Sequence, residues 1–486
     1  MPYLLLCLSL LFLAAQGLLL ATLILRRESI PAPAKLALAY GLGALAVTVT
    51  MMLFILLDRP LTLAWLVGVL ALADLSAVAL CLKNGWPIFE PRALADELRG
   101  VGRLSRLEQL LLALLGFKLV FVFTENWLKP VFGWDAVALH SVRAKALLLA
   151  SGPFYPLFKL PPLSTEYPLH RVLLETWVMK WLTTFNELLP KMVFSLYFLS
   201  LLAIAYYALR RFVPRYWALF STYLLASVPL LLYHSVVEYC DLELAYYASL
   251  GLIFLFLWLQ QKEQKHWLVF SALCVGAAPH IKTEGLPLTL LACFVLFIFL
   301  AADRRAALRP RLVAFGAYAG LALVPFLPWT IFKYLVNFSS NWGANPLLPV
   351  SAMPGKSLAF LSEFWTSLIW LGNWNLLFPL LAGAFGFFLI FDRKKLMSLP
   401  YLYFLAVISS FFVYMFFIFS ATTGSAMMGV ALTRVFLPVV PFSAFCLGIF
   451  SYDLVIVEGK KVLANLSARP AGGKREASRK RRSAKR

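Results

Sequence analysis

Polar residues between positions 132 and 171 have the types and spacing of a reactive surface. This stretch lies between two long apolar runs and combines acidic, basic, imidazole and aromatic side chains: Trp134, Asp135, His140, Arg143, Lys145, Lys159, Glu166, Tyr167, His170 and Arg171. In a very hydrophobic chain such an insertion adds no stability, so we interpret it as a functional surface. An ordinary solvated loop is the alternative.

Further polar residues occur at three later turns, each next to an apolar run: His234, Glu238 and Asp241; then His280, Lys282 and Glu284; and finally Arg434. A carboxylate can take a proton from an attacking hydroxyl group. Basic side chains can bind an anionic group. If all these turns lie on one side of a membrane, they predict a cleft for a substrate with a lipid tail and an anionic head.

The elements that position these residues are apolar segments of membrane-spanning length. Hydrophobic residues make up 62% of the 486 residues and charged residues only 14%, which excludes a soluble domain. We predict an all-α polytopic membrane protein with about thirteen spans, at residues 3–25, 35–57, 61–82, 107–123, 193–209, 217–232, 242–259, 267–278, 286–301, 312–335, 371–391, 401–419 and 432–451.

The basic turns of this alternation fall on one side, which places them in the cytoplasm. The N-terminus and the polar turns are then expected on the outer face and the C-terminus inside. Residues 1–106 form an N-terminal three-helix extension with an amphipathic interfacial segment at 84–106. Residues 107–451 form the main membrane domain, with outer loops near 125–190 and 336–370, and residues 172–185 lie on the outer surface.

Much of the net charge of +21 lies in the C-terminal segment 452–486, which we expect to be disordered and cytoplasmic. Its basic residues suit the headgroups of membrane lipids. Binding to nucleic acid is a weaker alternative, because the basic run from Arg469 to Arg486 contains no aromatic residue to stack on bases. We therefore expect membrane lipids, and no nucleic acid, as partners.

Several of the polar motifs resemble those of the GT-C superfamily of membrane glycosyltransferases. The motifs are GWDA at 133–136, RAKA at 143–146, YPL at 167–169, EYCDLELA at 238–245, KTEG at 282–285 and TRVFLP at 433–438. They are most similar to the bacterial branch that includes the aminoarabinose transferase and the lipopolysaccharide-core glycosyltransferases, which is related to the protein O-mannosyltransferases. The resemblance covers residues 125–450, so the first three spans are an addition to the usual layout.

This resemblance implies an inverting transfer of a sugar from a polyprenyl-phosphate donor to a glycan, lipid or protein acceptor on the outer face. A bacterial inner membrane, with a periplasmic active site, fits this activity. Asp135 is the expected catalytic base. The expected phosphate-binding residues are Arg143, Lys145, Lys282 and Arg434; those expected to orient the substrate or acceptor are Trp134, Tyr167, His170, Glu238, Asp241 and Glu284.

Each assignment has a structural alternative. Asp135 could cap the following helix, and Lys145 could extend from it toward the membrane surface. Lys282 and Glu284 could simply pair with each other, and Arg434 could be an anchor at the membrane edge. The pair Glu238 and Asp241 could form a solvated turn, or could bind a divalent cation together with His234 and His280, although the spacing matches no zinc motif. No other cofactor is indicated.

Other classes of membrane protein remain open. A transporter or lipid flippase would also have about a dozen spans, but its costly polar residues usually lie near the bilayer midplane in broken helices. A ligase or polymerase that moves whole glycans, or a non-catalytic scaffold, is a further alternative. A scaffold has no need of the ordered series of motifs from residue 133 to residue 438.

Overall fold

A computed structural model describes residues 1–28, 30–150, 152–161, 163–303, 307–338, 351, 353–421 and 428–459. Within these ranges the chain forms α-helices with short 3-10 and π-helical turns, and no β-strand. The expected all-α class is therefore confirmed for the part of the chain that is described.

The helices in the first half are α1 (Pro2–Leu25), α2 (Ala32–Leu56), α3 (Leu63–Asn84), α4 (Pro91–Val101), α5 (Arg106–Leu128), α6 (Val142–Leu149), α7 (Phe154–Leu157), α8 (His170–Leu182), α9 (Met192–Leu209), α10 (Arg215–Ala226) and α11 (Pro229–His234). Those in the second half are α12 (Asp241–Gln260), α13 (Lys265–Ile281), α14 (Gly285–Ala302), α15 (Leu308–Val336), α16 (Met353–Ile369), α17 (Leu377–Phe391), α18 (Arg393–Leu396), α19 (Leu399–Ala421), α20 (Met428–Phe436) and α21 (Val440–Tyr452).

Ten segments within the described ranges are long and apolar enough to cross a membrane. They are α1, α2, α3, α5, α9, α12, α14, α15, α19 and the segment Leu432–Val455. This last segment begins in the final turn of α20 and contains the whole of α21. These helices identify the chain as an integral membrane protein. Ten of the thirteen predicted segments are thus found at this length.

The other three predicted spans are shorter helices. The segment at 217–232 divides into α10 and α11, because Pro229 disfavours a helical conformation at Val228, which is extended. The segment at 371–391 begins as a helix only at Leu377, after a turn in which Gly372 and Asn375 have positive φ. Helix α13 has 17 residues, or about 25 Å of helix. Thirteen membrane crossings remain a prediction.

Helix α12 forms the centre of the fold. Every residue from Asp241 to Leu259 is buried, as expected for a helix that is apolar on all sides and surrounded by others. Helices α9, α13, α14 and α21 pack around it. Since Asp241 is its first residue, the central helix carries a candidate site residue at its N-terminal end.

Helices α1 and α2 approach each other closely, through glycines. A Cβ atom at Gly43 would overlap the backbone carbonyl of Leu13, and one at Gly17 would overlap that of Ala39. Small residues allow this close approach of helix backbones in a membrane. Helix α2 also packs on α8, α9 and α15, so the N-terminal extension contacts the rest of the bundle extensively. The domain boundary at residue 106 remains a prediction.

We expect Gly43→Ala to destabilise the protein by at least about 1–3 kcal/mol, because the added methyl group must push α1 and α2 apart. Gly68→Ala is the matched control, since a Cβ atom at Gly68 in α3 has open space around it. Thermal unfolding in detergent compares the two variants. Equal melting temperatures would show that the α1–α2 contact does not depend on these glycines.

The prediction that residues 172–185 lie on the outer surface is wrong. Helix α8 is buried almost throughout, against α1, α2 and α6. Several of its polar groups are paired internally: Arg171 donates to Glu175 at 2.6 Å, and the Trp177 indole donates to the carbonyl of Ser9 at 3.2 Å. The polar face therefore reflects internal pairing rather than contact with solvent.

The segment at 84–106 contains α4, which is a largely exposed helix. Its position at the membrane interface remains a prediction. Ser105 and Glu108 then form a capping box at the start of α5, and Arg215 donates to the Glu108 carboxylate at 2.7 Å.

The predicted outer loop at 336–370 contains α16, and residues 339–350 of this loop lie outside the described ranges. Most of the predicted tail, residues 460–486, also lies outside them.

Candidate functional site

Five charged residues from four separate parts of the chain converge at the N-terminal end of α12. The Arg434 Nη2 atom donates to Asp135 Oδ2 and to Asp241 Oδ2, each at 2.8 Å. The Lys282 Nζ atom donates to the other Asp241 oxygen, Oδ1, at 3.2 Å and lies 3.2 Å from Glu284 Oε1. One continuous ionic network, which we call the outer cluster, therefore comprises Asp135, Asp241, Lys282, Glu284 and Arg434.

Each member lies at the end of a helix or in the adjoining turn. Asp135 precedes a π-helical turn at Ala136–Ser141, and its side chain makes no capping hydrogen bond. The carboxylate is paired with Arg434 instead, which argues against the capping alternative. Lys282 lies between α13 and α14, where a Cβ atom at Gly285 would overlap the backbone of Ala278. Glycine at this position permits the tight turn that carries Lys282.

Burial strengthens the interactions of the outer cluster. Asp241 is 1% exposed and is held between two cations, Arg434 and Lys282. Burial lowers the pKa of Lys282, but the nearby carboxylates of Asp241 and Glu284 outweigh it, so the pKa lies above its ordinary value. Lys282 is therefore fully charged at neutral pH.

Arg434 is partly exposed, and not all of its donors are paired within the described residues. Its guanidinium group lies over the Tyr239 ring at 4.5 Å, and its side chain is 22% exposed. The Nε atom is buried without a hydrogen-bond partner among the described residues. Tyr239 lies in the turn before α12, and no sequence pattern assigned it a role.

Tyr167, in the predicted outer loop, interacts electrostatically with Lys282, Glu284 and Asp135 of the cluster. Arg143 is buried and its Nη2 atom donates to the backbone carbonyl of Tyr167 at 2.8 Å. Burial lowers the pKa of Arg143 to about 9 and raises that of Tyr167 to about 12. At neutral pH, Arg143 is therefore charged and Tyr167 is a neutral hydroxyl group. Trp134, next to Asp135, is 77% exposed and can contact a substrate.

Three other predicted site residues are placed outside the cluster. Lys145 is exposed and its ammonium group lies over the Phe185 ring at 4.9 Å, so it is not part of the ionic network. Glu238 is fully buried and forms an ion pair with Lys191. His170 is also fully buried: its Nδ1 atom bonds Thr48 at 2.8 Å and its Nε2 atom bonds the Tyr197 hydroxyl at 3.0 Å.

The predicted metal ligands do not converge. His280 bonds the Thr48 hydroxyl at 3.3 Å within the same buried network as His170. His234 lies 3.9 Å from Asp241, and burial lowers its pKa to about 4, so it is neutral at pH 7. Among the residues whose placement is described, no group of three or more His, Cys, Asp or Glu side chains could hold a metal ion.

The buried pair Lys191 and Glu238 was not predicted from the sequence. Lys191 is 2% exposed, and its ammonium group also donates to the backbone carbonyl of Lys129 at 2.8 Å. Lys191 is the last residue of a short 3-10 turn at the start of a span, where a lysine usually reaches the membrane surface. Its partner, Glu238, lies in the turn after α11, so the pair can be recognised only from the folded structure.

We expect Lys191→Met to destabilise the protein by about 3–5 kcal/mol, because it leaves the Glu238 carboxylate buried without its cation. The double variant Lys191→Met with Glu238→Gln should recover much of this loss. Lys262→Met, which removes a partly exposed ion pair with Asp303, should cost at most about 1 kcal/mol. Unfolding midpoints in detergent measure all three, and equal effects of the two single variants would contradict the assignment.

Comparisons with models of protein families, with curated proteins and with solved structures find no match to this chain. The GT-C resemblance therefore depends on the motifs themselves. Four of its motifs, at residues 133–136, 238–245, 282–285 and 433–438, each contribute at least one residue to the outer cluster.

Proposed function

We propose that the protein is an inverting glycosyltransferase that moves a sugar from a polyprenyl-phosphate donor to an acceptor hydroxyl group on the outer face of the membrane. The outer cluster carries this proposal, because Arg434 joins two carboxylates that are 106 residues apart in sequence (135 and 241) and links them to Lys282. A general base and two fixed cations at one membrane edge are what this reaction needs.

Asp135 is the proposed base. Its side chain is 22% exposed, whereas Asp241 is buried between two cations and Glu238 is buried against Lys191. The acceptor oxygen attacks the anomeric carbon while its proton passes to Asp135. The bond between the anomeric carbon and the phosphate oxygen breaks, and polyprenyl phosphate leaves with the electron pair. Attack from the face opposite the leaving group inverts the anomeric centre.

Arg434 and Lys282 are the proposed phosphate-binding residues. The free Nε donor of Arg434 gives a phosphate oxygen a hydrogen-bond partner. A phosphate that draws the guanidinium group away from Asp135 would at the same time release that carboxylate to act as a base. Asp241 then positions both cations, because its Oδ1 atom accepts a hydrogen bond from Lys282 and its Oδ2 atom accepts one from Arg434.

Apolar side chains of α12, α14 and α19, which include Leu244, Leu288 and Phe411, lie beside Lys282 and Arg434. The crevice between them has no room for a water molecule, so it would have to widen to admit the lipid part of the donor. Arg143 holds the Tyr167 backbone over this region, and Trp134 is free to stack against a sugar ring.

Lys145, Glu238 and His170 have different roles in this proposal from those expected. Lys145 contacts Phe185 at the protein surface, while Glu238 and His170 stabilise the interior beneath the loop. Glu284, whose side chain is 31% exposed, remains a candidate for orienting the acceptor. The proposed location is a bacterial inner membrane, with the cluster and the N-terminus periplasmic and the C-terminus cytoplasmic.

The test is a transfer assay with purified protein, a panel of polyprenyl-phosphate sugars and a lipid extract of the host as the acceptor. Formation of a glycosylated product together with free polyprenyl phosphate is the expected result. Product formation from nucleotide sugars alone, without any lipid-linked donor, would contradict the proposal.

A further inference from the structure

A second site lies at the opposite end of the helix bundle from the outer cluster. A cavity of about 220 Å³ opens between α2, α9, α12 and α13, with apolar walls that include Leu38, Ile204, Phe254 and Leu257. Leu257 lies near the last residue of α12, whereas Asp241 is the first. The 20 residues of α12 separate the two ends by about 30 Å.

Two adjacent arginines, Arg210 and Arg211, line this cavity directly after the end of α9. The Arg211 Nη2 atom donates to Gln261 Oε1 at 2.8 Å, and its guanidinium group lies over the Trp267 ring at 5.4 Å. Arg210 donates to the backbone carbonyl of Val213 at 3.0 Å. Both side chains are exposed and are held in place by neutral groups.

Neither arginine takes part in an ion pair with any described residue. Arg215, by contrast, only four residues further on, is paired with Glu108 at 2.7 Å. The cavity therefore combines an apolar interior with two arginines that form no ion pair, while one carboxylate, Glu97, hydrogen-bonds Tyr207 in its lining. The complement of two arginines and one carboxylate beside apolar walls is a molecule with an anionic head and a hydrocarbon chain.

We propose that this cavity binds an anionic glycerophospholipid of the cytoplasmic leaflet, with the phosphate at Arg210 and Arg211 and part of one acyl chain between α2, α9 and α12. Basic residues at a membrane surface attract anionic lipids, and arginine binds phosphate through paired N–H donors. Trp267, beside Arg211, has the amphipathic character of a residue at the membrane interface. The basic C-terminal segment is a poor occupant, because its charge has the same sign.

This site is independent of the proposed transfer reaction. It requires only that the ends of α9, α12 and α13 that face away from Asp241 lie at the cytoplasmic surface, as the positive-inside pattern predicts. A protein without transferase activity would still bind the lipid, and a transferase without this site would still carry the outer cluster.

The experiment is native mass spectrometry of the full-length protein, titrated with dioleoyl phosphatidylglycerol on a background of neutral detergent and phosphatidylcholine. We expect saturable binding of phosphatidylglycerol. The double variant Arg210→Gln with Arg211→Gln should weaken that binding by about tenfold or more. The matched control, Arg393→Gln with Lys394→Gln, changes two basic residues of another turn that is predicted to be cytoplasmic, and should bind as the wild type does.

A second variant tests the apolar part of the site without changing its charge. Ala34→Leu reduces the cavity volume beside Leu38 and should also weaken lipid binding. Melting temperatures in phosphatidylcholine alone verify that each variant is folded; if the arginine variant does not fold, Ala34→Leu decides the question.

Three results would overturn the proposal. Equal loss of binding in the arginine variant and its control would show a general effect of net charge. Equal binding of phosphatidylcholine and phosphatidylglycerol would remove the role of the anionic head. Competition by glycerol phosphate at the same concentration as the lipid would identify a site for free phosphate, with no contribution from the acyl chain.

Discussion

Asp135→Asn should lower the rate of sugar transfer by about 10²- to 10⁴-fold, because asparagine keeps the shape of the side chain but cannot take the proton of the acceptor hydroxyl group. The variant should remain folded, since Asp241 still binds Arg434 and Lys282. Binding of the polyprenyl-phosphate donor should also be retained, because the phosphate contacts are assigned to the cations. Initial rates of product formation measure the effect.

Asp96→Asn is the matched control for this variant. Asp96 forms only an exposed ion pair with Arg99 on α4, so its loss should leave the transfer rate unchanged. Transfer by Asp135→Asn within a few-fold of the wild-type rate would move the base to another residue. Glu284 would then be the next candidate, because it is the cluster's remaining partly exposed carboxylate among the described residues.

Arg434→Gln should produce the second large effect, on both activity and stability. It removes the cation shared by Asp135 and Asp241, and the loss of a fixed charge at the leaving group should cost about 10²–10³ in rate. Because Asp241 is buried, we also expect a destabilisation of about 3 kcal/mol, near the lower end for a broken buried pair since Lys282 remains.

The double variant Arg434→Gln with Asp241→Asn separates these two effects. Neutralising Asp241 removes the unpaired buried charge, so the unfolding midpoint should recover while transfer remains impaired. Recovery of transfer together with stability would mean that Arg434 acts only as a structural anchor. The conservative variant Arg434→Lys should retain charge but bind phosphate less well, because an ammonium group lacks the planar fork of donors.

The members of the outer cluster could be selected from the sequence because each is a charged residue at the end of an apolar segment. Asp135, Asp241, Lys282 and Arg434 all follow or precede such a segment, and alternation of the spans places them on one face. Their pairing could not be predicted, because Arg434 reaches Asp135 across 299 residues of sequence. Contacts of this kind depend on how the helices pack.

The sequence-based interpretation also selected residues that lie outside the outer cluster, for the same physical reason. Glu238 and His170 have the same polar character as the cluster residues, but their partners Lys191 and Thr48 come from other helices. From its hydrophobic pattern alone, the segment that forms α8 was predicted to lie on the outer surface. The ion pair between Arg171 and Glu175 instead allows the polar side of this helix to be buried. The bounds of the helices were easier to predict from the sequence, since most helix ends coincide with charged residues, glycine or proline.

The most direct test uses proteoliposomes that carry a labelled polyprenyl-phosphate sugar and an acceptor lipid on the side of the outer cluster. The proposed function predicts that glycosylated acceptor accumulates in equal amount with polyprenyl phosphate, without an ion gradient, and that Asp135→Asn abolishes both products. Movement of the intact labelled donor across the bilayer, with no glycosylated acceptor, would contradict the glycosyltransferase and favour a transporter or flippase.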